Sequence, residues 1–217
     1  MLWIHAGPHK AASSYVTERL RKNRTTLAAQ RVLMDGDNNL LANSIAEKNY
    51  QPLEQALSGL PSDFQRILIS SSSLDTRILK RSVLTVLHDM ASSYGFKLGI
   101  SYFIRDQQSW LNSVYCHRVR RFRSTQDFPD YCRYIMNNLS SWDISYPSKF
   151  SPLKDYPEIV KMFLPLSRLV EITDPFLALT SALGLKEPPG LGWLKGEPSK
   201  KNIQPGAKGI WMSRICY

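Results

Sequence analysis

Residues Leu2-Trp3-Ile4-His5-Ala6-Gly7-Pro8-His9-Lys10-Ala11-Ala12-Ser13-Ser14-Tyr15 constrain this chain more than any other stretch. An apolar strand over Leu2–His5 runs into a small-residue turn that holds one lysine. The turn opens on Ser13 and Ser14, residues suited to a helix N-terminus, and an amphipathic helix follows. Strand, tight turn and helix start together form an anion site. Backbone N–H groups and the positive end of the helix dipole converge there, and Lys10 adds a full charge.

The rest of the chain repeats this alternation, which predicts an α/β fold: one P-loop-like domain with a central parallel sheet flanked by helices. The pattern gives a helix over 13–30, a strand at Val32–Met34 and a turn at Asp35-Gly36-Asp37-Asn38. A buried strand follows at Arg66–Ser70, then a long helix over 74–94 ended by Gly95. Lys97–Ile104 reads as a strand, and helices are expected over 107–122 and 128–139. Residues 140–157 read as irregular, and 158–164, 168–172 and 175–184 as helix, strand and helix. Residues 1–185 would form the domain, and the Pro- and Gly-rich 186–217 a loop or tail of it.

The 217 residues carry a formal charge of +10. Such a surplus favours an anionic partner: a phosphorylated nucleotide, nucleic acid, an acidic glycan or a membrane surface. No apolar run has bilayer-spanning length, and the N-terminal pattern is not that of a signal peptide. Three scattered cysteines predict neither a disulfide framework nor a metal site, so the expected setting is reducing and cytoplasmic.

Two motifs carry chemistry. In the first, Ala11 follows Lys10 where a nucleoside-triphosphate P-loop needs Ser or Thr to hold Mg²⁺. That disfavours a kinase-like phosphotransferase. Lys10, Ala11, Ala12, Ser13 and Ser14 instead suit a phosphate or phosphosulfate gripped without a metal. In the second, Arg105 ends a predicted strand, where open α/β sheets bind ligands, and Ser113 lies two helical turns further on. A guanidinium and a hydroxyl so placed can clamp one phosphate.

Together these motifs resemble the PAPS-dependent sulfotransferases, especially their bacterial carbohydrate branch, over roughly residues 1–185. The resemblance implies that Gly7, Lys10, Ala11, Ala12, Ser13 and Ser14 bind the 5′-phosphosulfate of PAPS, and that Arg105 and Ser113 bind the 3′-phosphate. It implies sulfuryl transfer to an acceptor hydroxyl, a glycan among the candidates, with PAP as product and Lys10 as an electrostatic catalyst. The chain departs from the family in three places. Ala12 stands for a glycine, the Ser13–Ser14 pair stands for threonines, and Ser72 stands where many members carry a glutamate base. Asp75, His9 and His5 are the candidate substitutes for that base, which must reach the acceptor's proton. The basic glycine segment that closes over the nucleotide in the family has only Lys208-Gly209 as its counterpart. A catalytically impaired relative that binds a nucleotide or an anionic glycan is the alternative.

Two further features stay open between readings. His117, Arg118, Arg120, Arg121 and Arg123 form either a solvated helix end that complements the dipole or an acceptor-side patch for an acidic substrate. Trp142, Tyr146, Phe150 and Tyr156 form either loop packing or a surface on which a sugar could stack. His88, Cys116 and Cys132 are expected to be packing or surface residues.

Overall fold

The computed structural model describes residues 1–8, 10–36, 39–121, 123–124, 126–138, 145–166 and 174–195. Five strands, β1 (Leu2–His5), β2 (Val32–Met34), β3 (Arg66–Ser70), β4 (Leu98–Ile104) and β5 (Val160–Pro165), form one sheet in the order β2-β3-β1-β4-β5. All pairs are parallel. Buried parallel strands read as short apolar runs, which is why β1, β3 and β4 were visible in the sequence.

Helices α1 (Ser13–Lys22), α2 (Arg24–Ala29) and α10 (Pro175–Ala182) share a core with one face of the sheet. Val16, Leu20, Leu27, Phe176 and Leu179 pack there on Trp3, Leu68 and Phe103. The opposite face, with Ile4, Ile67, Ile69, Ile100 and Tyr102, is covered by α3 (Leu40–Glu47), α4 (Gln51–Ser58), α5 (Asp75–Ile78) and α6 (Arg81–Ser93). The strand period of two divides β1 between the two cores: Leu2 and Ile4 face one, Trp3 the other. Helices α7 (Gln107–Arg120) and α8 (Phe128–Asn137) pack on each other around Tyr115, Val119, Tyr131 and Ile135, a third cluster of their own. No helix among the described residues is long and apolar enough to cross a membrane.

Four expectations are corrected. The helix expected over 13–30 breaks at Asn23, whose side-chain amide donates to the Arg19 carbonyl at 2.8 Å and to the Leu194 carbonyl at 3.0 Å. A buried asparagine bonded to its own backbone competes with the helical ladder. The helix expected over 74–94 is three pieces: a 3₁₀ turn at Ser72–Leu74, then α5 and α6, with Lys80 extended between them. At about 100° per residue, Ile78 and Leu87 would point in opposite directions on a straight helix. Both are buried in one core, and the axis turns at Lys80. The helix expected over 158–164 is instead β5, which pairs with β4 from Gly99–Val160 to Ile104–Pro165. The strand expected at 168–172 lies outside the described residues. Within 140–157, Ser145 and Pro147 start a short helix, α9 (Tyr146–Phe150), where irregular chain was expected.

Gly95 ends α6 with a φ of +75°, the left-handed conformation glycine adopts without penalty. Gly99 serves a different purpose. A β-carbon there would lie 2.6 Å from Cζ3 and 2.8 Å from Cδ2 of Trp3, the ring beside it across the β1–β4 ladder. Gly99→Ala is therefore expected to cost about 1–3 kcal/mol through overpacking, read as a lower urea midpoint at unchanged slope.

Candidate functional site

Strand β1 sits at the centre of the sheet, and the chain leaves it toward β2 on one side before returning through β3 to cross to β4 on the other. In open α/β sheets a ligand crevice forms at the carboxyl ends of the strands where the order reverses. The exits of β1, β3 and β4 meet there, carrying Gly7 to Ser14, Ser70 to Ser72 and Arg105 respectively.

The loop after β1 is folded tightly. Ala11 donates its N–H to the Pro8 carbonyl at 3.1 Å, and Ala11 itself is buried in the core beneath. Lys10 and Ala12 have φ of +70° and +60°. Each such non-glycine residue costs about 1–2 kcal/mol, and a glycine at the Ala12 position would relieve that cost. Left-handed residues in such a turn gather N–H groups into an anion-binding concavity. Ala12 offers no side-chain cap to α1, and an uncapped helix start presents unpaired N–H groups to whatever lies before it. Ser13 is buried against Gly7 and Ser14 is exposed.

Arg105 closes the arrangement. Its Nη1 donates to the Lys10 carbonyl at 2.8 Å, linking positions 95 residues apart. Arg105 is itself fixed by Tyr146, whose O–H donates to the Arg105 carbonyl at 2.6 Å while its oxygen accepts the Arg105 N–H at 3.3 Å. Burial pushes the Tyr146 phenol above its ordinary pKa, so it stays a neutral donor. The sequence placed Tyr146 only in an aromatic group; its bond to Arg105 depends on a contact 41 residues away. Ser113 lies half-buried on α7, the helix that follows Arg105 and is capped by Asp106 through the Ser109 N–H at 2.7 Å. Partial burial, then the charges of Arg120 and Arg121, hold the Lys10 ammonium below the usual lysine range.

The candidate bases separate clearly. His9 lies outside the described residues. The Asp75 carboxylate is paired with the Lys149 ammonium at 2.6 Å, both side chains being largely buried. Its backbone carbonyl accepts from the Tyr102 hydroxyl. The pair ties α5 to α9. His5 is fully buried, with Nδ1 3.3 Å from Ser101 Oγ, its ring edge-on to Phe103, and Nε2 lacking a partner among the described residues. Ser72, at the glutamate position of the resemblance, starts the 3₁₀ turn and carries no acid function. Beneath the loop, Thr17 and Ser70 hydroxyls meet at 2.8 Å, tying α1 to β3; neither residue stood out in the sequence.

Burial lowers the His5 imidazole to about 4, from 6.5, with a bond to Ser101 acting the other way. The unfolded chain therefore binds the proton more tightly. The neutral imidazole's contribution is complete above pH 6.5 and is lost progressively as pH falls to about 4. Urea titrations across that window should show roughly 2–3 kcal/mol of lost stability assignable to this group, and His5→Gln should flatten it.

Among the described residues no cluster of His, Cys, Asp or Glu could hold a metal ion. His88 is a surface residue between Asp89 and Glu158, each at 3.2 Å, and Cys116 is buried in the α7–α8 cluster. Phe150 packs on Tyr102 and Phe163 rather than facing a crevice. Comparison with family models, with curated proteins and with solved structures gives no match.

Proposed function

We propose that this chain transfers a sulfuryl group from PAPS to a hydroxyl of an acceptor, a carbohydrate being the favoured class. The observation that carries this reading is the Arg105–Lys10 bond, which brings the two halves of the motif together at the carboxyl end of the sheet. In the reaction the acceptor oxygen forms a bond to sulfur as the bond from sulfur to the bridging oxygen breaks. PAP leaves carrying the new charge. Lys10 would neutralise that charge, the Ser13 and Ser14 end of α1 would hold the 5′-phosphate, and Arg105 with Ser113 the 3′-phosphate. His9, Asp75 and His5 are the groups offered for the acceptor's proton; Asp75 is paired with Lys149, and His5 is buried. The P-loop-like description of the domain rests on this same reading.

Calorimetry with PAP tests the assignment in Mg²⁺-free buffer. Binding is expected without the metal, and Arg105→Ala should weaken it about 10–100-fold, the range of a charge-assisted bond. Absence of PAP binding, or a variant that binds as tightly as the parent, would overturn the reading. The second reading, a binding protein without turnover, is favoured by one observation: the carboxylate nearest the glutamate position, Asp75, is tied to Lys149. PAP binding with no transfer from labelled PAPS to any acceptor would select it.

A further inference from the structure

The β4–β5 ladder ends at Ile104–Pro165, and the first residue past it on β4 is Arg105, the group assigned to the 3′-phosphate. There a side chain takes over from the sheet. The Tyr146 hydroxyl donates to the Arg105 carbonyl at 2.6 Å and accepts the Arg105 N–H at 3.3 Å. One hydroxyl can do both because it carries a donor and acceptor lone pairs on a single atom. The phenol thus holds both polar groups of the Arg105 backbone, and the guanidinium beyond them donates to the Lys10 carbonyl at 2.8 Å. Tyr146 is itself fixed. It opens α9, where the Ser145 hydroxyl oxygen accepts the Ser148 N–H at 3.4 Å as N-cap. Its ring stacks on Phe150 with the planes 18° apart. Three residues on, the buried Lys149 ammonium pairs with Asp75 at 2.6 Å, which anchors α9 a second time.

We infer that Tyr146 is the positioning residue of the 3′-phosphate subsite: by fixing the Arg105 backbone, its hydroxyl sets where the guanidinium meets the nucleotide. The inference rests on the sulfotransferase reading for the identity of the phosphate, whereas the bonds from Tyr146 through Arg105 to Lys10 do not. An arginine side chain turns about several bonds between its backbone and its charge, so a small rotation of the peptide carries the guanidinium out of line. A charge-assisted fork depends on direction as well as distance, and a misplacement of about 1 Å can cost on the order of 100-fold in a site. The hydroxyl acts on Arg105 and not on the ligand. Its loss should therefore fall on nucleotides that carry a 3′-phosphate and spare those that lack one.

The test uses the full chain and two ligands, PAP and adenosine 5′-phosphate, which differ only in the 3′-phosphate. Tyr146→Phe keeps the ring and its stacking and removes the hydroxyl alone. It should weaken PAP about tenfold, through lost alignment of a charge-assisted pair, and change adenosine 5′-phosphate by less than about twofold. In an Arg105→Ala background the same substitution should have little further effect, because the group it positions is gone. In the free protein, hydrogen exchange of the Arg105 guanidinium should be several-fold faster in Tyr146→Phe than in the parent. NMR follows that signal, which is assigned by its absence in Arg105→Ala. Unchanged PAP affinity in Tyr146→Phe, equal losses for the two ligands, or a loss that adds to that of Arg105→Ala each overturns the inference and leaves the proposed function standing. If the parent binds no PAP, the proposed function falls, and the exchange measurement decides whether Tyr146 positions the guanidinium. Faster exchange then supports that role, and an unchanged rate overturns it.

Discussion

Lys10→Ala should lower sulfuryl transfer about 100–1,000-fold, roughly 3–4 kcal/mol of transition-state stabilisation, if the proposed reaction is right. The charge that Lys10 meets is small in PAPS and grows only as PAP departs, so its loss falls on kcat rather than on binding. Partial burial makes the effect larger than it would be in water, because a desolvated ammonium acts through a lower local dielectric. Alanine is the right replacement, since it keeps a β-carbon at the left-handed φ of +70° and leaves the carbonyl that accepts from Arg105. PAP affinity should change by only a few-fold. Single-turnover transfer from labelled PAPS checks the chemical step, and an undiminished rate would remove Lys10 from the mechanism. Because burial and the arginines hold its ammonium below the usual range, the parent's rate should also decline on the alkaline side earlier than an ordinary lysine predicts.

Asp174→Ala should cost about 3–5 kcal/mol of stability, enough to unfold many proteins of this size. Arg19 is only 3% exposed. Its guanidinium pairs with Asp174, donates to the Tyr15 hydroxyl at 2.9 Å and lies 4.1 Å from the centre of the Phe176 ring. Removing the carboxylate leaves that charge buried without its counter-ion, and the remaining contacts do not replace it. Asp174 also accepts the Phe176 N–H at 2.9 Å as the cap of α10, a contribution of about 1 kcal/mol that Asp174→Asn would largely keep. The decisive comparison is the double variant Arg19→Met, Asp174→Ala. With both charges gone the site becomes an apolar contact between α1 and α10, and much of the loss should be recovered. Urea unfolding of the four proteins in the cycle measures this. Equal loss in the single and double variants would mean that the pair contributes through something other than compensated charge.

The two experiments probe different depths of the same region. Lys10 lies in the loop before α1, whereas Arg19, on α1 itself, fixes α1 against α10. The buried pair Lys149–Asp75 plays the corresponding part on the opposite side of the sheet, holding α9 to α5. Each pair joins residues far apart in the chain, 155 residues for Arg19–Asp174 and 74 for Lys149–Asp75. Neither could be chosen from among the chain's many charges by local pattern.

Much of the fold was legible because its signals are local. The apolar runs of β1, β3 and β4, the turn after β2, the Asp127 cap of α8 and Gly95 after α6 act within a few residues of themselves. The helices α3 and α4 lie in a segment to which the sequence reading assigned no element, although their apolar residues enter the core. The loop with Lys10 and the strand end with Arg105 were each recognisable, and so was the absence of an acid at Ser72. What the residue string could not carry were choices settled by partners distant in sequence. Val160–Pro165 became a strand because β4 presented a free ladder to it, although its own composition also suited a helix. Asn23 ended α1 because Leu194 and the Arg19 carbonyl were both within its reach. Asp75 pairs with Lys149, a partner 74 residues away that local pattern does not reveal. The sequence by itself determined the α/β alternation and the composition of the anion loop, since backbone geometry and apolar period are properties of neighbours. Only the tertiary structure decided that Arg105 meets Lys10, that His5 is fully buried, and that Asp75 pairs with Lys149. Charge pairing and desolvation depend on which distant groups the packed core brings within a few ångströms.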